Sequence, residues 1–416
     1  MKITENSKKL MLFFTKNKHI NQVRQTKRTK SILKELYTDI FSAYKYLMQL
    51  KQRRPYFQFS LKKVSSSRIT KPKNFNANSF PEIVRRHIDQ LAATELTYTF
   101  SLYEREIKII FVVEDENVEL QLDTYNKYID AIIMWIYILN QYSSRSCSKT
   151  LVVYFYFTSL EKMLPSSNIY ILDEMNVNTA FTTSCPKDSE IVVYRKEEWF
   201  KVFIHESFHS FALDFSDMNN SQPHQFIRNL FSVKSDVNLY ESYTEFWAEM
   251  MNALFCSFFS LKDKTDVKLF LENTEFFINF EITYSFFQMV KTLKFMGLTY
   301  TDLYSSSYKS TMLRDNLYKE KTNVLSYYVI KCVLMNNYQN FLIWCKNNNL
   351  YLLQFKKTLS NQAEYCKFIE KYYKSRSLFL GIRDTEEFLK KIERKHKKEN
   401  YRYIMTNLRM SICELG

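Results

Sequence analysis

The sequence predicts an α+β fold: a mixed α/β layer over the first 190 of its 416 residues, a central segment to residue 261, then a C-terminal part that is all helix. Two observations carry this. Between residues 56 and 157, short alternating or wholly apolar runs rich in Val, Ile, Tyr and Phe are interleaved with helical periodicity, whereas beyond residue 261 only the helical period persists. In addition, 46% hydrophobic and 17% aromatic residues supply ample material for a core.

The elements follow in order. Residues 1–30 are basic (Lys8, Lys9, Lys16, Lys18, Arg24, Lys27, Arg28, Lys30) and read as a flexible leader. The N-terminal α/β region then spans 31–190. Within it, Ser31 to Arg53 is a helix candidate, Tyr56 to Val64 alternates as a strand, and Lys71 to Ser79 (KPKNFNANS) has linker composition. Pro81 to Ala93 reads as a helix on which His87 sits beside Arg85 and Arg86, a poor setting for a metal ligand. Leu96 to Tyr103 and Glu106 to Val113 read as a hairpin across a short polar turn, Asp123 to Tyr142 as a strong helix and Leu151 to Phe157 as a buried strand.

A strand at Glu190 to Tyr194 and a polar turn at Arg195 to Glu198 open the central segment, 191–261. Helices are expected at Glu249 to Leu261 and then, through the C-terminal segment 262–416, at Val267 to Phe277, Phe280 to Met296, Asn323 to Lys346, Leu350 to Lys374, Thr385 to Lys398 and Tyr401 to Cys413.

The most informative stretch is Lys201 to Asp214, which contains His205-Glu206-Ser207-Phe208-His209. On a helix, i and i+4 share a face, so both imidazoles reach one ion while Glu206 points beside it. With only six His in the chain, this spacing is improbable by composition, and Val202, Phe203, Phe208, Ala212 and Leu213 give the motif an apolar setting. The motif alone also occurs in proteins without metal, so a third ligand matters. A metzincin would place Gly and then His or Asp where this chain has Ala212 and Phe215. Instead, Tyr240 to Glu249 forms a second helical stretch with Glu241, Glu245 and Glu249 at i, i+4 and i+8. Carboxylates on such an apolar helix are costly to bury unless paired or bound to metal.

With H-E-x-x-H on one helix and E-x-x-x-E on the next, the chain resembles a gluzincin metallopeptidase. The run Glu241 to Glu249 is also similar to the second motif of anthrax-lethal-factor-like peptidases, and the block Tyr194 to Ala248 is similar to uncharacterised peptidases of large DNA viruses. The resemblance implies a zincin-like fold whose cleft lies between the α/β half and the helical subdomain. It implies Zn²⁺ held by His205, His209 and Glu241, with Glu206 as general base and Glu245 orienting a ligand imidazole. The substrate is then a peptide or protein, and an oxyanion donor is needed. Tyr327 and Tyr328 are the first candidates; Tyr240, Tyr243 and His224 are others, with core packing the ordinary role of all four tyrosines. Glu249 has no family role and reads as solvated or ion-paired. The run Asn176 to Cys185 is a candidate cleft-edge strand or a surface loop. The alternative is an inactive zincin-fold structural or interaction protein, associated with a virion.

Composition narrows the remainder. Three Gly (297, 381, 416) scarcely build a phosphate-cradling loop, so nucleotide chemistry is excluded. The net charge of +15, concentrated near the termini and over Lys51 to Lys73, suggests weak association with acidic surfaces or nucleic acid. Seven Cys without C-x-x-C, with Cys256, Cys332 and Cys345 in apolar runs, read as reduced core thiols of an intracellular compartment, either host cytoplasm or virion. No stretch is apolar for long enough to suggest a membrane span. Scarce Gly and Pro beside abundant Lys, Asn, Tyr and Phe fit an AT-rich genome.

Overall fold

The computed structural model describes residues 1–53, 55–65, 68–395 and 401–416. Its N-terminus corrects the expectation of a flexible leader. Helix α1 (Glu5–Lys16) is capped by Thr4 and buries Leu10, Met11 and Phe14. The following segment is tied down by its backbone: the N–H groups of Asn21, Val23 and Gln25 donate to the side chains of Thr283, Asn279 and Glu275 at 2.9, 2.9 and 2.8 Å. The lysines and arginines lie on the outer face of an anchored segment, which is why charge alone was misleading. Helix α2 (Lys27–Gln52) follows, close to where it was expected.

A six-stranded mixed sheet forms the α/β layer, in the order β1-β2-β3-β4-β6-β5. Strands β1 (Gln58–Lys63), β2 (Thr94–Leu102) and β3 (Arg105–Val113) are antiparallel; β3, β4 (Thr150–Phe157) and β6 (Asp188–Val193) are parallel; β5 (Ala180–Phe181) closes the edge antiparallel to β6. The β2–β3 turn consists of Tyr103 and Glu104, both with positive φ (49° and 63°), which matches a two-residue hairpin loop to strand twist without the usual Asn-Gly. Helix α3 (Glu82–Leu91) precedes β2, and α4 (Leu122–Tyr142) provides the crossover from β3 to β4 that parallel pairing requires.

The period of two divides the sheet residues between two cores. Ile107, Ile109 and Phe111 of β3 and Val153 and Phe155 of β4 face the main helical mass. Ile110, Val112, Tyr154 and Tyr156 face a smaller cluster with Phe75, Phe80, Val84 and Ile88. The expected linker 71–79 is therefore part of a cover over the sheet, held also by Tyr156, whose hydroxyl donates to the Thr70 carbonyl at 2.7 Å.

Against the main face lie α6 (Trp199–Ser210) and α8 (Leu239–Ser260), with the short α5 (Glu174–Val177) and α7 (Ser221–Leu230) beside them. The stretches expected to break at Glu249 and at residues 278–279 are continuous, in α8 and in the 29-residue α9 (Val267–Phe295). Then come α10 (Tyr308–Leu317), a π-helical turn (Leu325–Ile330), α11 (Lys331–Asn336), α12 (Tyr338–Asn348), α13 (Leu359–Tyr372), α14 (Arg376–Lys395) and α15 (Arg402–Thr406). The helix expected over Leu350 to Lys374 thus starts only at Leu359, and the end of the one expected at Thr385 to Lys398 falls outside the described residues.

The helix expected from Tyr401 to Cys413 is also corrected: beyond Thr406 the chain is an extended, buried strap. Its backbone N–H groups are taken by carboxylates of the core. Glu198 accepts from Met410 and Ser411 at 3.0 and 2.6 Å, and Glu281 from Ile412 and Cys413 at 3.0 and 2.9 Å, in place of helical carbonyls. One apolar cluster runs from α1 to residue 415. Among the described residues, no helix is long and apolar enough to cross a membrane.

Candidate metal centre

Every residue of α6 is buried. One side of the helix is fixed to the sheet and to α4 by aromatic packing, with Phe203 against Phe155 of β4 (5.8 Å between centroids) and Trp199 against Tyr128 of α4 (4.6 Å). Ser207 adds a polar pin, accepting the Trp135 indole N–H at 2.7 Å. In the polar turn that opens the helix, Glu198, at φ 58°, is buried in an ion pair with Lys162. The helix ends in a Schellman motif, in which Leu213 N–H bonds the Phe208 carbonyl and Ala212 N–H that of His209. Ala212 occupies the left-handed position at φ 59°, and the reversal carries Asp214 back beneath His209.

The free side of α6 carries Lys201, His205 and His209, and the row Glu241, Glu245, Glu249 of α8 faces it. His205 Nε2 lies 3.1 Å from Glu241 Oε2 and 3.3 Å from His209 Nε2, and His209 Nε2 lies 3.6 Å from Glu241 Oε2. Bonds of about 2.0–2.1 Å diverging tetrahedrally from one Zn²⁺ put their donor atoms about 3.3 Å apart, so this triangle has the right size. Among the described residues it is the one group of three or more His, Cys, Asp and Glu side chains close enough to share an ion.

Hydrogen bonding behind the triangle fixes what its atoms offer. His205 Nδ1 contacts Glu245 Oε2 at 2.9 Å, and His209 Nδ1 contacts Asp214 Oδ2 at 2.5 Å. Ionised carboxylates only accept, so each Nδ1 bears the hydrogen and each Nε2 presents a lone pair. Two imidazole lone pairs and a carboxylate oxygen then converge with no hydrogen between them. That arrangement needs a cation at its centre or a proton on a ring. In the metal-free chain the proton is favoured. Burial disfavours charged His205, but its hydrogen bonds with Glu241 and Glu245 outweigh this and raise its pKa; for His209 the charges of Asp214 and Glu241 do the same more strongly. Burial also works against ionised Glu241, yet the two imidazoles hold it well below the usual carboxylate range.

Glu206 is 8% exposed and lines a cavity of about 30 Å³ together with His205, Glu245, Tyr327, Lys162, Lys201, Met410 and residues 177–180. Burial raises its carboxyl pKa, opposed by His205 and His209. A space of this size admits water but not a peptide. Part of the run 176–185 does border the site: β5 and the residues before it form one wall.

The remaining candidates separate clearly. Tyr327, on the π-helical turn, donates to Glu241 Oε2 at 2.9 Å and belongs to the site. Tyr328 does not: its hydroxyl donates to the Leu408 carbonyl at 2.6 Å, because the next position on that turn points into the core. Tyr243 likewise bonds the Leu353 carbonyl, whereas the Tyr240 ring stands edge-on 5.9 Å from His209. His224 lies on α7 near Asp236, and His87 pairs with Glu114 at 2.7 Å, both away from the triangle. Glu249 is fully buried and paired with Lys331 at 2.8 Å, so of its two expected roles the ion pair holds.

Sequence reasoning missed Asp214 and Lys201 as partners, although both ends of the singled-out stretch carried them. It also missed the Cys147–Cys185 disulfide, which corrects the all-thiol expectation at these two positions. Cys185 N–H donates to the His209 carbonyl at 3.2 Å, so this bond sits at the C-terminal end of α6. Cys256, Cys332, Cys345, Cys366 and Cys413 are free and buried.

Comparison with protein-family models, curated proteins and solved structures returns no match. The functional reading therefore rests on the geometry of the site.

Proposed function

We propose that this chain is a zinc metallopeptidase of gluzincin type, built on a zincin-like fold, with His205, His209 and Glu241 holding the ion. The observation that carries the reading is the triangle of lone-pair atoms at 3.1, 3.3 and 3.6 Å, backed on each imidazole by a carboxylate. Zinc held there supplies Lewis acidity, polarising a peptide carbonyl and acidifying water. Glu206, immediately beside the triangle in a cavity of water size, takes the proton of the attacking water and delivers it to the leaving amine. Its raised pKa suits a group that must both accept and return a proton. Glu245 and Asp214 hold the imidazoles in one tautomer, and the Tyr327 hydroxyl is the donor nearest to a developing oxyanion.

The narrow cavity favours one second reading, a zincin-fold protein that keeps a metal for structure or interaction without hydrolysis. Metal content by elemental mass spectrometry, wild type beside His205→Ala, tests what both readings share: one zinc per chain, lost in the variant. Absence of zinc from the wild type after zinc is offered would sink both. A broad peptide library then separates them, since cleavage supports the peptidase and intact peptides support the second reading.

A further inference from the structure

Lys201, His205 and His209 stand at i, i+4 and i+8 on one face of α6, and Glu241, Glu245 and Glu249 at the same spacing on α8. The helices run antiparallel, so the two rows mesh. Glu241 meets both imidazoles, and Glu245 meets His205 through Oε2 and Lys201 through Oε1. One turn deeper, Glu249 meets Lys331, whose ammonium also reaches Ser285 Oγ at 2.9 Å and the Met410 carbonyl at 3.2 Å. Two Lys–Glu pairs thus lie a turn apart with matching burial, side chains 3% and 1% exposed in one and 1% and 0% in the other. Only the first touches a histidine of the triangle.

We infer that Lys201 is a positioning residue of the metal centre, acting through Glu245 on His205. The inference rests on the zinc reading of the triangle. The ammonium pins Glu245 Oε1, which leaves Oε2 on the His205 Nδ1–H and keeps the Nε2 lone pair turned toward Glu241 and His209. The Lys201 ammonium also lies 3.8 Å from the Met410 sulfur, a weak acceptor, and its charge is felt by Glu198 and Glu206, but its ion-pair contact is with Glu245 Oε1. Removing the cation leaves a buried carboxylate with no countercharge on that oxygen. Nothing then fixes Oε1, the carboxylate is free to rotate off the His205 Nδ1–H, and its grip on the imidazole weakens. Lys331 serves as the built-in control, because Glu249 orients no ligand.

The test is zinc affinity of the full chain by competition with a chromogenic chelator, together with thermal melting of the metal-free protein. Lys201→Met is expected to weaken zinc binding at least about tenfold, as loss of outer partners of metal ligands does, and Lys201→Arg to recover most of it. Lys331→Met is expected to lower the melting temperature as Lys201→Met does while leaving zinc affinity within about twofold. Should Lys201→Met misfold, zinc affinity is compared between Glu245→Gln and Glu245→Gln with Lys201→Met: because Lys201 acts through Glu245, adding Lys201→Met is expected to change affinity less than about twofold, and a further large loss overturns the inference. Unchanged affinity in folded Lys201→Met, or equal losses in the Lys201 and Lys331 variants, overturns the inference and leaves the zinc reading standing. Failure of the wild type to bind zinc overturns both.

Discussion

The seam between α6 and α8 has two ends built from the same residue types. At the deep end Glu249 meets Lys331, and Glu281 receives Ser411 Oγ–H, Ile412 N–H and Cys413 N–H at 2.6, 3.0 and 2.9 Å. Donors of the chain itself answer those carboxylates. At the other end, Glu241 and two imidazole nitrogens point at one another, and the Tyr327 hydroxyl is the donor that reaches them. Burying charge is costly unless it is compensated. The deep end is compensated by fixed donors and serves stability, whereas the outer end is compensated in the metal-free chain by a proton on an imidazole, a place a metal cation can take.

Substitutions at the two ends should therefore separate cleanly. The largest effect is expected at Glu206: Glu206→Gln should lower peptide turnover by a factor of about 10²–10⁴, the usual contribution of a general base, with zinc content unchanged. Turnover retained in a zinc-loaded Glu206→Gln protein would refute this role. Next is Glu249→Ala, which takes from the buried Lys331 ammonium its paired carboxylate and leaves it Ser285 Oγ and the Met410 carbonyl; it should cost about 3 kcal/mol of stability with little change in zinc affinity. Glu241→Ala should do the reverse. If chelator competition shows zinc lost with Glu249 rather than Glu241, the two ends have been assigned the wrong way round. Smaller again is Asp214→Ala, where loss of the His209 partner should weaken zinc binding about 10–100-fold, or about 1.4–2.8 kcal/mol, and leave the apo fold in place.

The outer end was legible in the sequence because it depends on spacing. The intervals from His205 to His209 and from Glu241 to Glu245 are helical periods, and a period survives whatever the tertiary context. Asp214 was not legible, because its approach to His209 requires a chain reversal at Ala212, a residue that carries no turn signal, where Gly would have announced it. Tyr327 and Tyr328 were indistinguishable for a related reason: a π-helical turn, not the regular period, decides which hydroxyl faces Glu241 and which the core. The deep end was illegible because Glu198, Glu281 and the strap 407–413 come together across long sequence separations. The α+β layering and the hairpin were readable from alternation, while the anchored N-terminus was hidden by its charge.

The smallest expected effect sharpens the comparison by titration. In the metal-free protein His205 and His209 have raised pKa values. Each contributes stability that is fully present below the unfolded value of about 6.5 and is lost as pH rises through the folded value. Glu241 and Glu245 are depressed, so their contribution is present above the unfolded value of about 4.3 and is lost as pH falls through the folded one. The metal-free melting temperature should therefore be highest between about pH 4.5 and 6.5 and decline on the alkaline side. Zinc takes unprotonated imidazoles and competes with those protons, so the loaded protein should keep its melting temperature where the metal-free form loses it, and the gap should widen with pH. A gap independent of pH would mean that ion and proton do not share the imidazoles, and that zinc binds away from the outer end.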